Sequence, residues 1–398
     1  MFRLPGVLDA SGGTEYPYEY DIRQENFNGR TLKRFSLQAA ELMKYCPTCG
    51  FYSDYAKFVK YYGDYNYGDV WVTAAFDKTR TNFQSGRGNA DFSTFRNKDA
   101  LAEAISKGTA YMNLLMYVIR ELEDALGDCN ANCAIGDCNE APVHALDEAV
   151  AFYAGSLEGK DGSGDGFLLY NLADKRALDF RTAGENSNEV EGTSHINIEI
   201  IREFQRAQLF LLDGNCPEAA INKEIIVNYM KVPLVQGALR YAYIRQFEVP
   251  SGGGLREKAE AEGAAFAAAV LPWVAYCDEA DADLIYENLR VGSQDPDVNF
   301  AAVKAAFERT YKCLGISCGQ VGGLWGVDGY KDGAKPCGGG ASGVGIGSED
   351  ANAGVIVGGI FGAVAGLALL LFLWSRCVSK QQSTSKGSGN IAAVSEIS

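Results

Sequence analysis

The chain has 398 residues, a formal net charge of -15 at pH 7 and a pI of about 4.7. That charge excludes a nucleic-acid-binding reading, which needs a basic surface, and it suits a protein that attracts cations. Hydrophobic content of 47% is that of a globular fold, and the length allows one large domain or two small ones.

Residues 1–96 form a Tyr/Gly-rich N-terminal region that includes EYPYEYD (15–21) and KYYGDYNYGD (60–69). Irregular chain is predicted there, with short helices near 36–45 and 53–62. VWVTAAF (70–76) fits a strand and a buried helix start equally well. The opening MFRLPGVLDASGG lacks the apolar h-region of a signal peptide. Two expectations follow, a truncated start or a tail-anchored protein facing the cytosol. Cys46-Pro-Thr-Cys49 lacks the βαβ flanks of a thioredoxin-type motif, which leaves a structural disulfide.

Residues 98–127 predict one long helix. Leu101, Ile105, Met112, Leu115, Ile119, Leu122 and Leu126 recur at helical spacing, and Gly127 closes it. Cys129, Cys133 and Cys138 follow in a loop; zinc-finger spacing is absent, so disulfides are expected. Further helices are predicted near 142–157, 195–212, 218–245, 256–276, 280–290 and 298–313, with Pro233 kinking or breaking the one that contains it.

Two motifs along the way are incomplete. Asp161–Gly166 begins like a calcium loop, but Leu172 stands where its Glu belongs. Gly155–Lys160 has neither the spacing nor the Ser/Thr of a phosphate-binding loop.

The sequence also repeats. EAVAFYAGSL (148–157) resembles EGAAFAAAVL (262–271). Asn97-Lys98 and Ile119-Arg120 recur as Asn222-Lys223 and Ile244-Arg245. Phe204, Arg206 and Leu211 recur as Phe307, Arg309 and Leu314, each set followed by a cysteine, Cys216 or Cys318. Two helical repeats are inferred, 97–216 and 222–318.

Residues 319–352 are glycine-dense and predict a flexible linker. Residues 353–374, AGVIVGGIFGAVAGLALLLFLW, carry no charge and are long enough to span a bilayer as a helix. Arg376, Lys380 and Lys386 follow, so the positive-inside rule makes 375–398 a cytoplasmic tail and puts 1–352 outside. Gly354, Gly358, Gly362 and Gly366 lie four apart, a ladder that suits a homodimer. Cys377, just inside the membrane, is a lipidation candidate. The ten cysteines before the span, the last four being Cys277, Cys313, Cys318 and Cys337, predict up to five disulfides. The tail carries no tyrosine, hence no tyrosine-based internalisation signal.

For chemistry, the two histidines are the strongest lead. His144 precedes Glu148 by four residues, and His195 precedes Glu199 by four. On a helix each pair shares a face. The bland reading is a solvated surface pair. The sharper one is metal binding by His144, Asp147, Glu148, Tyr153, His195 and Glu199, since a hard ferric ion takes carboxylate and phenolate oxygens and accepts imidazole. Both pairs fall in the first repeat; their counterparts in the second are Lys258 and, roughly, Asp297. That asymmetry favours one site drawn from two helices. No G-x-S-x-G, H-E-x-x-H or kinase motif occurs, so an enzyme is not expected.

Four segments carry a resemblance: WVTAAFDKTRTNF (71–83), KGTAYM (107–112), DEAVAFYAGSLEGKDGSGDGFLLYNLADKRALDF (147–180) and VPLVQGALRYAY (232–243). They resemble the algal low-iron-inducible, iron-assimilating periplasmic proteins, whose membrane-anchored members are phytotransferrins. The similarity spans roughly residues 60–315. It implies a plasma-membrane protein that captures Fe3+ under iron limitation, with carbonate as a second ligand and uptake by endocytosis through endosomes. The expectation is a mainly α, disulfide-braced ectodomain on one C-terminal transmembrane helix. Three alternatives are a metal-independent adhesion or structural surface protein, a carbonate-responsive periplasmic binding protein, and an imelysin-related helical protein, whose histidine-acid motif is spaced differently.

Overall fold

Residues 2–7, 16–20, 43, 53–155, 166–249, 253–292 and 298–338 are described in the computed structural model. The predicted span 353–374, its glycine ladder, the tail with Cys377, and the pair Cys46/Cys49 lie outside them. Among the described residues no helix is long and apolar enough to cross a membrane.

The fold is mainly helical, as expected. An antiparallel strand pair, β1 (Phe2–Val7) and β2 (Tyr16–Tyr20), sets Phe2 opposite Tyr20. Then come α1 (Ser53–Tyr62), α2 (Tyr67–Asp77), α3 (Lys98–Gly108), a π-helical turn (Thr109–Leu114) and α4 (Leu115–Asn132). They are followed by α5 (Ala141–Ala154), α6 (Leu169–Phe180), α7 (His195–Leu212) and α8 (Cys216–Tyr243). After a second π-turn (Ile244–Glu248) come α9 (Gly254–Cys277), α10 (Glu279–Leu289), α11 (Phe300–Leu314) and the single turn α12 (Cys318–Val321).

Pattern explains place. In α7, Ile196, Ile200, Phe204, Ala207 and Leu211 are buried at helical spacing, so one face meets the core. In α9 every residue from Ala259 to Val274 is buried, which makes it a central helix surrounded on all sides. It packs on α1, α3, α8, α10 and α11.

Several expectations are corrected. VWVTAAF is helix, inside α2. Gly127 does not end its helix, which runs to Asn132. Buried Leu126 and Cys129 flank it, and their packing outweighs the ~1 kcal/mol that glycine costs a helix. Pro233 does not end α8, because residues 230–239 are all buried and neighbouring helices hold the segment. Helix α6 was not anticipated from the sequence. Residues 319–338 are not linker. Leu324 N–H donates to Ala334 O (3.0 Å), Trp325 N–H to Asp179 O (2.7 Å), and Arg181 lies over the Trp325 ring at 4.3 Å.

Among the described residues there are four disulfides: Cys129–Cys216, Cys133–Cys138, Cys277–Cys313 and Cys318–Cys337. The inferred repeats agree at one end only. Phe204 and Phe307, and Leu211 and Leu314, are buried, and Cys216 and Cys318 each open the next helix. At the other end Asn97 caps α3, whereas Asn222 is buried within α8.

Candidate metal and anion centre

The residues singled out from the sequence fall on two helices that touch, α5 and α7. His144, Asp147 and Glu148 are exposed on α5. Tyr153, on the same helix, is fully buried and its hydroxyl donates to Asn197 Oδ1. Burial pushes that phenol well above its ordinary pKa, with Asp174 and Tyr170 adding to the shift, so it stays protonated. His195 opens α7, donates its backbone N–H to Thr182 O (3.0 Å), and keeps Nδ1 buried without a hydrogen-bond partner. Glu199 pairs with Arg202. Among the described residues no three His, Cys, Asp or Glu side chains converge as a metal ion requires. The expected convergence of both His/Glu pairs on one ion is therefore not formed.

A different place gathers ionisable groups around open space. A cavity of about 190 Å³ is bounded by α3, the first π-turn, the chain entering α6, α6 itself, α8 and α9. Its oxygen donors are Glu103 and Ser106 on α3, Tyr111 on the π-turn, Tyr241 on α8 and Glu262 on α9. Its cations are Lys107, Lys175 and Arg176. The π-turn matters locally: an extra residue per turn re-aims side chains, and such bulges recur at functional sites.

Close packing fixes the walls. A Cβ on Gly108 would come within 2.8 Å of the Trp71 ring, so only glycine lets α2 lie against the start of the π-turn. A Cβ on Gly237 would come within 2.6 Å of the Phe266 ring, so glycine there lets α8 accept that ring. Phe266 stacks on Tyr111 (centroids 5.3 Å apart, planes at 21°) and on Tyr241 (5.8 Å, 18°).

The electrostatics are uneven. The Lys107 ammonium lies between two carboxylates, hydrogen-bonded to Glu103 and 3.5 Å from Glu262 Oε2. Lys258 adds a second contact to Glu103 at 2.8 Å. Burial pushes the Glu103 carboxyl up, but the hydrogen bonds from Lys107 and Lys258 outweigh it and hold the group below its ordinary pKa. Glu262, more deeply buried, is pushed up by desolvation despite Lys107. Desolvation lowers Arg176, with Asp179 opposing, though a guanidinium stays charged. Arg176 Nη2 contacts Asp179 Oδ2 at 3.0 Å, while its Nε is buried without a partner. Burial raises the Tyr111 phenol; Arg176 lowers it, and Glu262 and Glu103 add to the rise, so these groups feel one another across the cavity.

Chemically, two carboxylates and two phenols are hard oxygen donors, and the guanidinium is a fork for an anion. The sequence reading missed every one of these residues as ligands. Three of the four quoted segments meet here. KGTAYM supplies Lys107 and Tyr111, the 147–180 segment supplies Gly166, Phe167, Leu172, Lys175 and Arg176, and VPLVQGALRYAY supplies Tyr241. The fourth supplies Trp71, the buttress of Gly108.

A second set of buried charges lies between α1, α4, α8 and α9. Trp273 Nε1–H donates to Asp54 Oδ1 (2.7 Å), as does Lys57 Nζ (2.9 Å). Lys223 Nζ is 2.7 Å from Glu123 Oε1, 2.9 Å from Glu224 Oε1 and 3.8 Å from Asp54 Oδ2. The Glu123 contact is an ion pair without hydrogen-bond alignment, since both Glu123 oxygens lack a hydrogen-bond partner. Burial pushes Glu123 up to about 7 against the pull of Lys223.

No protein-family profile, curated protein or solved structure matches this chain.

Proposed function

We propose that the chain is a cell-surface protein that captures ferric iron for uptake, with carbonate as a companion anion, and that the cavity between α3, α6, α8 and α9 is where it does so. One observation carries this reading: hard oxygen donors and an incompletely paired guanidinium line the same cavity. Glu103 and Glu262 would bind the ion through carboxylate oxygens, with Tyr111 and Tyr241 as phenolate donors. Ferric binding expels the phenolic protons, since a cation favours the charged form of an adjacent acid. Lys107 now holds the position between the two carboxylates, so the ion must displace its ammonium. Arg176 and Lys175 remain to hold the anion. The resemblance of the segments that meet at this cavity to iron-assimilating proteins points the same way, as does the acidic net charge of -15.

The test is a ferric titration of the full chain, with and without bicarbonate, followed by visible absorbance. The expected result is a tyrosinate-to-iron charge-transfer band that needs bicarbonate for full intensity. Unchanged spectra with no retained iron would overturn the reading and favour a metal-independent surface role.

A further inference from the structure

The cavity is larger than its proposed inorganic ligands require. An engineered apolar cavity of about 150 Å³ holds a benzene molecule, and this one measures about 190 Å³. Carbonate, a four-atom anion, fills a minor part of it. One side is lined by the stacked rings of Tyr111, Phe266 and Tyr241, with Leu172 and Phe167 beside them. Phe167 is 73% exposed, an apolar ring left in water at the cavity's edge.

The charges there are not balanced among themselves. Lys107, Lys175, Arg176 and the neighbouring Arg240 and Lys258 are five cations; Glu103, Glu262 and Asp179 are three carboxylates. Lys175 is exposed and forms no ion pair among the described residues. Arg176 is only 9% exposed, and its Nε–H, buried beside the cavity, finds no acceptor. A buried guanidinium donor left unpaired costs about 1–3 kcal/mol, and the Arg176 side chain also lines the cavity, where an anion would meet its guanidinium. Carboxylate suits the guanidinium fork geometrically, while the ring-lined side suits an apolar body.

We propose that the cavity is a binding site for a small planar organic carboxylate, anchored by Arg176, steadied at the mouth by Lys175, and packed against the rings of Tyr111, Phe266 and Tyr241. The ligand class is an aromatic or similarly flat monocarboxylate, and binding needs no metal.

Isothermal titration calorimetry of the full chain in the presence of a chelator tests this, with benzoate, acetate, bicarbonate and phosphate as probes. Benzoate is expected to bind with one site per chain, about tenfold or more tighter than the other three, because only it fills the apolar part. Arg176→Gln is expected to weaken benzoate by about tenfold or more, the value of a hydrogen bond to a charged group. Since Arg176 is buried, Lys175→Gln provides a variant at an exposed position that keeps the fold, with a several-fold loss expected. No saturable binding, equal affinity for benzoate and phosphate, preference for bicarbonate, or unchanged benzoate affinity in both variants would each overturn the proposal. Iron is absent from this titration, so its failure leaves the ferric experiment untouched, and the reverse holds too.

Discussion

The charges around the cavity and those between α1, α4, α8 and α9 are both buried, yet they meet burial differently. In the core set opposite charges lie within ion-pair reach of one another, although Asp54 Oδ2 and both Glu123 oxygens take no hydrogen bond. Asp54 takes hydrogen bonds from Trp273 and Lys57, and Lys223 has three carboxylates within 3.8 Å. Lys231, further along α8, donates to Asn228 Oδ1 (2.7 Å) and Leu314 O (3.1 Å). Around the cavity the groups face open space, and Arg176 Nε and Lys175 are left unused. Closed pairing holds helices together; open pairing leaves something for a ligand to do. Burial alone does not separate the two, because Lys223, Arg176 and Glu262 are all under 10% exposed.

The sharpest way to break this comparison is to remove the central cation of each set. Lys223→Met leaves Glu123 and Asp54 buried with fewer positive partners. The expected cost is about 3–5 kcal/mol, the usual price of stranding half of a buried ion pair, read from the midpoint of urea unfolding. A loss below about 1 kcal/mol would mean that the core set does not hold its helices.

Acid-base behaviour gives the next largest contrast. The Glu123 pKa is raised in the fold to about 7 from an ordinary 4.5. Between those values the folded state binds the extra proton, so its contribution to stability falls as pH rises, by up to about 1.4 kcal/mol per pH unit. Glu103 has the opposite sign. Its folded pKa is depressed, so its contribution is present above the unfolded value and fades as pH falls through the folded one. Glu123→Gln is expected to flatten the stability-pH curve between about 4.5 and 7, measured by thermal unfolding across buffers. An unchanged slope would remove Glu123 as its source.

Lys107→Met is the cavity's counterpart to Lys223→Met, and its effect is smaller. Glu103 keeps Lys258 at 2.8 Å, and Glu262 retains the influence of Arg240 and Arg176. The expected cost is about 1–2 kcal/mol in the same urea experiment. A loss matching that of Lys223→Met would erase the distinction between a closed set and an open one.

Much of this fold was legible in the sequence, because helix periodicity is a local property. The predicted helices at 53–62 and 195–212 coincide with α1 and α7. The misreadings share a cause, local signals overruled by contacts distant in sequence. Gly127 reads as a stop, yet Cys129 beside it is bonded to Cys216. The glycines of 319–338 read as linker, yet Cys318–Cys337 and the hydrogen bonds to Asp179 and Phe180 fold them onto α6. The site was harder still. His144 and Glu148 share a face by spacing alone, whereas Glu103, Arg176 and Glu262 lie on three helices separated by more than seventy residues at each step. No periodicity reports such a meeting; only the crossing of α3, α6 and α9 creates it.

The smallest expected effect decides between the two candidate centres. His144 is exposed on α5, and substitutions at such positions usually change stability by no more than about 0.5 kcal/mol. His144→Ala is expected to fold as the parent does and to keep its ferric charge-transfer band. Glu262→Gln, by contrast, removes one of the two carboxylates that share Lys107 and is expected to weaken iron retention by about tenfold or more. Because Glu262 is buried, its fold is checked first by near-ultraviolet circular dichroism. If the band survives Glu262→Gln and is lost in His144→Ala, the centre returns to the exposed faces of α5 and α7, and the cavity is left to the organic anion alone.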